Sequence, residues 1–564
     1  MTVNERTALA SRVLESSTSA QAIVGKIDAL FASQNRSDAP GCTVAVSLGG
    51  NLLYRAAFGL ANVEHGVANL PSTKMPIGSV TKQFTCAAVL ILAAEGRLDL
   101  NEPIGRLIPE LPLKQRVVSL RQLMTHTSGI RCYLDQWAFN GYKTMPVGHP
   151  LAMQLRQREV NFEPGTGAAY CNGGYLLLSL AIERASGMPF DAFLKKRIFD
   201  PLDMRETSLP RAQWPVQRGA ATTYLPAKNE GDSQPDATDW RHGIAISEVM
   251  MGEGGIVSTV DDMLRWAAFL RLESGPVSLL NLTAPPKVTS GHVPGYRLGV
   301  IAETWRGVRL VQHAGGLMGA NSSLVMAPDA KLDVVVLFNK NAPATDLALQ
   351  VVEVVLEDQL ARPAPAPTTP DYSALLGNYR CDATEFVFGF VDQEGKLGLS
   401  ICGSSAASFE TRDVGPEILP LHVDLGTGDL RFRAGRTTGA PLEAVEYLDG
   451  CTWRKAERIK QSELTPAEIV GNADVSFENE DTRAILTFAH HDGQLIIHAR
   501  GEYSGTVFTV ATFGEDTLRL TSSEFKSVML ARVVRRDVGS MEVIVSTPRT
   551  RRTVFTQVGV GGQA

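Results

Sequence analysis

The chain has 564 residues but only seven cysteines: Cys42, Cys86, Cys132, Cys171, Cys381, Cys402 and Cys451. The count is odd, the nearest two stand 21 residues apart, and no CxxC occurs. That excludes zinc-ribbon spacing and argues against a disulfide framework, leaving free thiols in a reducing compartment as the simpler reading. His490-His491 and Cys381/Cys402 show no metal spacing either, and no cofactor or metal is expected. An excess of positive charge is also missing: 54 Lys+Arg stand against 60 Asp+Glu, a net charge of −6. Such a chain has no electrostatic footprint for nucleic acid or an anionic membrane. No apolar run approaches the ~20 residues of a membrane span. The opening MTVNERTALASRVLESS lacks a basic stretch followed by an apolar one, so no signal peptide is expected and a cytoplasmic location is.

What is present is ordinary globular composition in a chain too long for one core, so two to four domains are expected. The sharpest break is ARPAPAPTTP, Ala361 to Pro370. Alternating Pro and Ala hold neither a helix nor a central strand and favour a stiff, extended spacer. The expected units are residues 1–360, the linker 361–370, and two β-rich modules at 371–463 and 464–564. In the first unit, CTVAVSL (Cys42–Leu48) and Leu52–Phe58 flank a Gly-rich turn, and Ser323–Met326 and DVVVLF (Asp333–Phe338) flank Pro328-Asp329, a pattern of paired strands. Helical periodicity lies between them, at Lys82–Ala94, Tyr175–Ala185 and Val260–Leu270. End strands joined in one sheet with helices between make an α+β fold. After the linker, short β-type runs alternate with DG, GN and TG turns. Leu376-Gly377-Asn378 recurs as Val470-Gly471-Asn472, and the Asp392–Leu397 turn as His491–Leu495, suggesting two duplicated β-rich modules, with one large β domain as the alternative.

The first chemical signal is Ile77-Gly78-Ser79-Val80-Thr81-Lys82. Residues i and i+3 share a helix face, so Ser79 Oγ and the Lys82 amine are expected to meet at a helix start. A serine hydroxyl needs a base beside it. A lysine serves if burial and positive potential lower its pKa, and a helix N-terminus supplies that potential. The second signal is Tyr170-Cys171-Asn172 after a Pro-Gly turn. The phenol suits proton shuttling and the Asn172 amide suits a substrate carbonyl. The third is His313-Ala314-Gly315-Gly316 leading into a strand. Paired glycines there mark a close approach of backbone or ligand, and a backbone N–H there can complete an oxyanion hole with that of Ser79. Gly252-Glu253-Gly254-Gly255 reads as a pocket wall before a helix capped at Thr259. Met124–Gly129, holding His126, reads as a structural turn.

Ser-x-x-Lys, Tyr-x-Asn and His-x-Gly in this order resemble the serine β-lactamase and penicillin-binding protein superfamily. MPIGSVTKQFTCAAVL, EPGTGAAYCNGGY and HAGGLMG are similar to the D-stereospecific aminopeptidases, related to class C β-lactamases. The resemblance covers residues ~37–345. It implies a β-lactamase-like α+β catalytic domain (antiparallel sheet flanked by helices) followed by two antiparallel β-barrel domains. It also implies a serine hydrolase that works without a metal through an acyl-enzyme and releases N-terminal D-amino acids from short peptides, amides or esters. On it, Ser79 matches the nucleophile, Lys82 its proton acceptor, Tyr170 the second acid/base group, which with the catalytic His313 nearby protonates the leaving amine, Asn172 the amide of the same motif, and Gly315 and Gly316 the oxyanion and substrate-binding backbone, with the second oxyanion N–H at Gly316. His313 stands where penicillin-interacting relatives carry lysine. A largely neutral imidazole favours substrates with no carboxylate at that spot. The family's loop from the last β-domain matches His498–Thr506 here by position, with Glu502 a candidate for a substrate amino group. The expected partner is a small molecule or short peptide, and a homodimer is left open. Three alternatives also stay open: an esterase, β-lactamase or D,D-carboxypeptidase on the same site; a non-catalytic penicillin-binding-protein-like sensor; and a β-barrel binding protein with the front domain as support.

Overall fold

The computed structural model describes residues 18–141, 146–211, 216–227, 239–243, 250–288, 293–362, 372–393, 395–408, 418–419, 430–434, 438–471, 475–522, 528–536, 540–547 and 549–558. The expected Pro/Ala linker lies outside these residues except for its first two, as does Asn472 of the repeated Gly-Asn pair.

A six-stranded antiparallel sheet joins the two ends of the first unit, in the order Asn51–Phe58, Cys42–Leu48, Leu332–Phe338, Ala320–Ala327, Val308–Leu317, Ile301–Trp305. The all-apolar run of Leu332–Phe338 has a simple cause. Side chains alternate across a strand, and this strand is covered on both sides. Val334, Val336 and Phe338 pack with the helices Thr18–Phe31 and Ala344–Val355. Val335 and Leu337 pack into the larger core holding the helices Thr81–Ala94, Asn172–Ser186 and Val260–Leu270. Thr259 caps the last of these, its hydroxyl accepting from Asp262 N at 3.3 Å.

The chain continues into an eight-stranded antiparallel sheet spanning Gly377–Arg458 and then a closed eight-stranded barrel spanning Val475–Gln557. The two turns that recur in the sequence occupy equivalent places. Each joins the second and third strands of its module, Phe386–Gln393 to Lys396–Ile401 and Ala484–His491 to Gln494–Arg500. Closure leaves the barrel without an edge strand. Among the described residues no helix is long and apolar enough to cross a membrane.

All three β assemblies meet near residue 170. The hairpin turn after Asp449 abuts the first unit, where a Cβ on Gly450 would run into Ala168 and Thr452 Oγ1 donates to Thr166 O at 2.7 Å. From the barrel, Thr550 Oγ1 donates to Cys132 O (3.2 Å), Cys132 N donates back to it (3.1 Å), and Asn161 Nδ2 donates to Arg549 O (2.8 Å). Asp135 accepts from Thr547 Oγ1 and from Arg549 N. Arg551 reaches the middle sheet, its guanidinium making two bonds, 2.9 and 3.0 Å, to the buried Asp449 carboxylate.

Candidate active site

Ser79 lies in a single 3-10 turn, Gly78–Val80, that runs directly into the helix Thr81–Ala94. The turn is pressed against the strand Val308–Leu317. A Cβ on Gly78, whose φ is +50°, would stand 2.8 Å from Gly316 N, and one on Gly315 would collide with Ile77 O and Ser322 Oγ. Glycine at 78 and 315 is thus what lets the strand's amides come up beside the helix start. Ser322 Oγ ties the two elements by donating to Ile77 O at 2.7 Å. Ser79 is partly exposed and Gly316 exposed, while Lys82 is 0% exposed.

Lys82 Nζ stands 3.0 Å from Ser79 Oγ, 2.8 Å from Asn172 Oδ1 and 2.5 Å from the backbone oxygen of Glu253. Burial brings the amine down from 10.5 to about 7; the Glu253 carboxylate opposes that fall and Arg549 adds to it. A neutral amine has two N–H donors and one lone pair. Asn172 Oδ1 and Glu253 O take the donors, so the lone pair is left for the Ser79 hydroxyl. Asn172 therefore has its oxygen turned to Lys82. It opens its helix, Asn172–Ser186, three residues earlier than periodicity indicates. Gly173 lies inside this helix, where a Cβ would strike the Gln154 side chain.

Tyr170 is 7% exposed and lies beside this cluster. Lys82 Nζ is 4.7 Å from its ring centroid, and the His126, Tyr296 and His313 rings are at 4.2, 6.0 and 6.4 Å. His313 Nδ1–H donates to Ala314 O at 2.6 Å, which leaves Nε2 to accept from the Tyr296 hydroxyl at 2.9 Å. Burial, then the nearby Lys82, drives the imidazole down to about 3, so it is neutral at ordinary pH. Both ring nitrogens are thus engaged.

The structure brings Ser79, Lys82, Tyr170, Asn172, His313, Gly315 and Gly316 together. Glu502 has other partners: its carboxylate receives Arg156 at 2.9 Å and Arg483 at 2.6 Å, with His149 Nδ1 at 3.8 Å. Burial raises it, and the two arginines outweigh that and hold it below its usual value. The loop around it packs on the first unit at Asn140, whose Oδ1 accepts from Tyr503 N at 3.1 Å. From the barrel, Arg549 meets Tyr170, its guanidinium carbon 5.5 Å from the Tyr170 ring centroid.

Four further residues belong to the surroundings. Glu253 is fully buried, accepting from the Tyr133 hydroxyl (2.8 Å) and Met251 N (3.1 Å), and burial lifts its carboxyl above the usual range. His126 has a partner after all, its Nδ1 accepting from Cys171 N at 3.1 Å. Its φ is +57°, and burial followed by Lys82 pushes its imidazole well below the ordinary value. Tyr296 and Arg549 complete the set. Among the described residues no group of three or more His, Cys, Asp or Glu is placed to hold a metal ion.

A buried amine aimed at a partly exposed hydroxyl, at a helix start flanked by strand amides, marks the active-site-serine hydrolases. The chain belongs to the β-lactamase family, whose profile matches residues 27–356, and it is a hydrolase of that family. It is 30% identical over 393 residues to a D-aminopeptidase of Brucella ovis, covering 68% of this chain and 70% of that one. The D-aminopeptidase of Brucella canis is 29% identical over 396 residues, covering 68% and 70%. Among solved structures, the octameric penicillin-binding protein homologue from Pyrococcus abyssi superposes with a TM-score of 0.53 at 18% identity, covering 94% of this chain and 99% of that one. SurE superposes at 0.52 with 22% identity, covering 78% and 99%. At such identities these last two speak for the fold.

Proposed function

We propose that Ser79 is the acylated nucleophile and neutral Lys82 its base, in an enzyme that releases N-terminal D-amino acids from short peptides, amides or esters. The supporting observation is the three-way placement of Lys82 Nζ, whose two N–H bonds are taken by Asn172 and Glu253 O while Ser79 Oγ stands at 3.0 Å. The hydroxyl proton passes to Lys82 as Oγ bonds the carbonyl carbon. The N–H groups of Ser79 and Gly316 receive the oxyanion, and such donors are worth about 2.7–4 kcal/mol each. Tyr170 gives its proton to the leaving amine and takes the one held by Lys82; water then attacks the acyl carbon, passing a proton to Lys82, and Lys82 returns it to Ser79 Oγ as the acid leaves. Asn172 holds Lys82 in place. His313, neutral and bonded on both sides, shapes the wall and places no charge there, which suits substrates without a carboxylate at that point. The name of the Brucella relatives supports the D-amino-acid class. We place the unit boundaries at 1–360, 371–463 and 464–564, with 361–370 as a spacer.

The test is hydrolysis of D-Ala-p-nitroanilide against its L-isomer, alongside p-nitrophenyl butyrate and nitrocefin. A preference for the D-anilide is expected, and an L-preference or a nitrocefin-only activity overturns the substrate class. Ser79→Ala should lose both turnover and fluorophosphonate labelling.

A further inference from the structure

Beyond the residues of the first unit, we propose that Arg549, carried into the site by the last barrel, is a positioning residue that keeps Lys82 in its neutral, proton-accepting form and seats the Tyr170 ring. This rests on Lys82 being the base for Ser79.

The argument begins with how the loop is held. It is fixed at four points: Arg549 N to Asp135 (3.2 Å), Arg549 O from Asn161 (2.8 Å), the Thr550 hydroxyl to and from Cys132, and Arg551 N to Asn161 Oδ1 (2.9 Å). Arg551, two residues on, is clamped to buried Asp449. A segment so anchored presents its side chain at a fixed place, and the guanidinium lies over the Tyr170 ring at 5.5 Å. Lys82 Nζ addresses the same ring at 4.7 Å. Two cations sharing one aromatic ring repel each other unless one gives up its proton. A guanidinium does not deprotonate in proteins, so the lysine is the one that yields. Arginine is suited to the task for the same reason: its charge stays constant over the working pH range.

The groups facing Lys82 are Ser79 and Asn172, the Tyr170 and Tyr175 rings, Glu253, Cys132, Cys171, His126 and His313. Burial comes first in lowering the amine. Glu253, Cys132 and Cys171 oppose the fall, and Arg549 is the charged neighbour that reinforces it. Both histidines are held neutral by burial and by Lys82 itself, so neither supplies a competing cation. Arg549 also faces Asp135, a buried carboxyl raised by burial and lowered by this arginine.

The sign follows. Removing the guanidinium lets Lys82 hold its proton to higher pH, so less neutral amine is present at a given pH below the limb. The experiment is the pH dependence of Ser79 labelling by a fluorophosphonate in the full-length protein. Arg549→Gln and Arg549→Met should move the acid limb upward by about half a pH unit or more, while Arg549→Lys, which keeps a charge, leaves it in place. Melting temperature is recorded in parallel, because a purely structural role would lower it without moving the limb. A neutral variant that folds and keeps the wild-type limb overturns the proposal. If neither neutral variant folds, the lysine variant decides: a limb displaced upward overturns the charge argument. A wild-type limb near 7 that moves with Glu253→Gln but not with the arginine variants refutes Arg549 alone, whereas labelling that survives Ser79→Ala refutes the reading beneath it.

Discussion

Glu253→Gln probes the electrostatics of the site with the opposite sign. Lys82 sits near 7 because burial outweighs the carboxylate packed behind it. At that value about one amine in ten is neutral at about pH 6 and about one in a hundred at about pH 5, so acylation should fall about tenfold for each pH unit below the limb. Glutamine keeps the backbone oxygen that Lys82 uses and an acceptor for the Tyr133 hydroxyl. It removes the negative charge that favours the ammonium. The acid limb should therefore move down, and each unit of displacement corresponds to about 1.4 kcal/mol and a tenfold faster acylation on the sloping part of the profile. The contrast is best read just below 7, where the carboxylate is most ionised, since burial raises its own titration. Met251 N loses its oxygen acceptor, so a loss of about 1–3 kcal/mol in stability accompanies the shift and is measured separately by denaturant unfolding. The assay is the pseudo-first-order rate of fluorophosphonate labelling across the pH range. A limb that stays put or moves upward in a folded variant refutes the claim that Glu253 charge opposes the neutral lysine. A flat wild-type profile refutes the base itself.

Other expectations concern packing and docking. Asn172→Leu removes the acceptor that orients Lys82 and should lower kcat/KM for the D-anilide about a hundredfold with the fold retained, checked by circular dichroism. Gly315→Ala forces a methyl against Ile77 O and Ser322 and should destabilise the protein by about 1–3 kcal/mol in urea unfolding, with activity falling in the folded fraction. Arg551→Ala leaves Asp449 with only Arg454 at 2.9 Å and should cost about 2–4 kcal/mol, read as a lower urea midpoint.

Local signals were legible in the sequence, and contacts between distant segments were not. The 79/82 spacing and the apolar run of the helix behind it follow from a period of 3.6, and DVVVLF reads as a strand from its β-branched run beside a Pro-Asp turn. His313-Ala314-Gly315-Gly316 was readable because paired glycines on a strand imply a close neighbour, and the neighbour is the Gly78 turn. The partner of His126, Cys171 N, lies 45 residues further on, where no local pattern could show it. Tyr296 and the Glu253 side chain carried no local pattern pointing to Lys82. What brings Arg549 to Tyr170 is the docking of its loop on Asp135, Asn161 and Cys132, which no periodicity encodes. Glu502 is the related case: a lone acidic residue in a turn gives no hint of the two arginines that claim it.

Thr547, Arg549, Thr550 and Arg551 bond to the first unit at Asp135, Cys132 and Asn161 and to the middle sheet at Asp449. One short stretch thus fastens three bodies at the point where the chemistry is expected. Loosening any of them frees the stretch, and with it the guanidinium over Tyr170. Thermal inactivation and loss of barrel docking should then follow a single curve, and a protease nick between 547 and 552 should silence the enzyme while leaving every core intact.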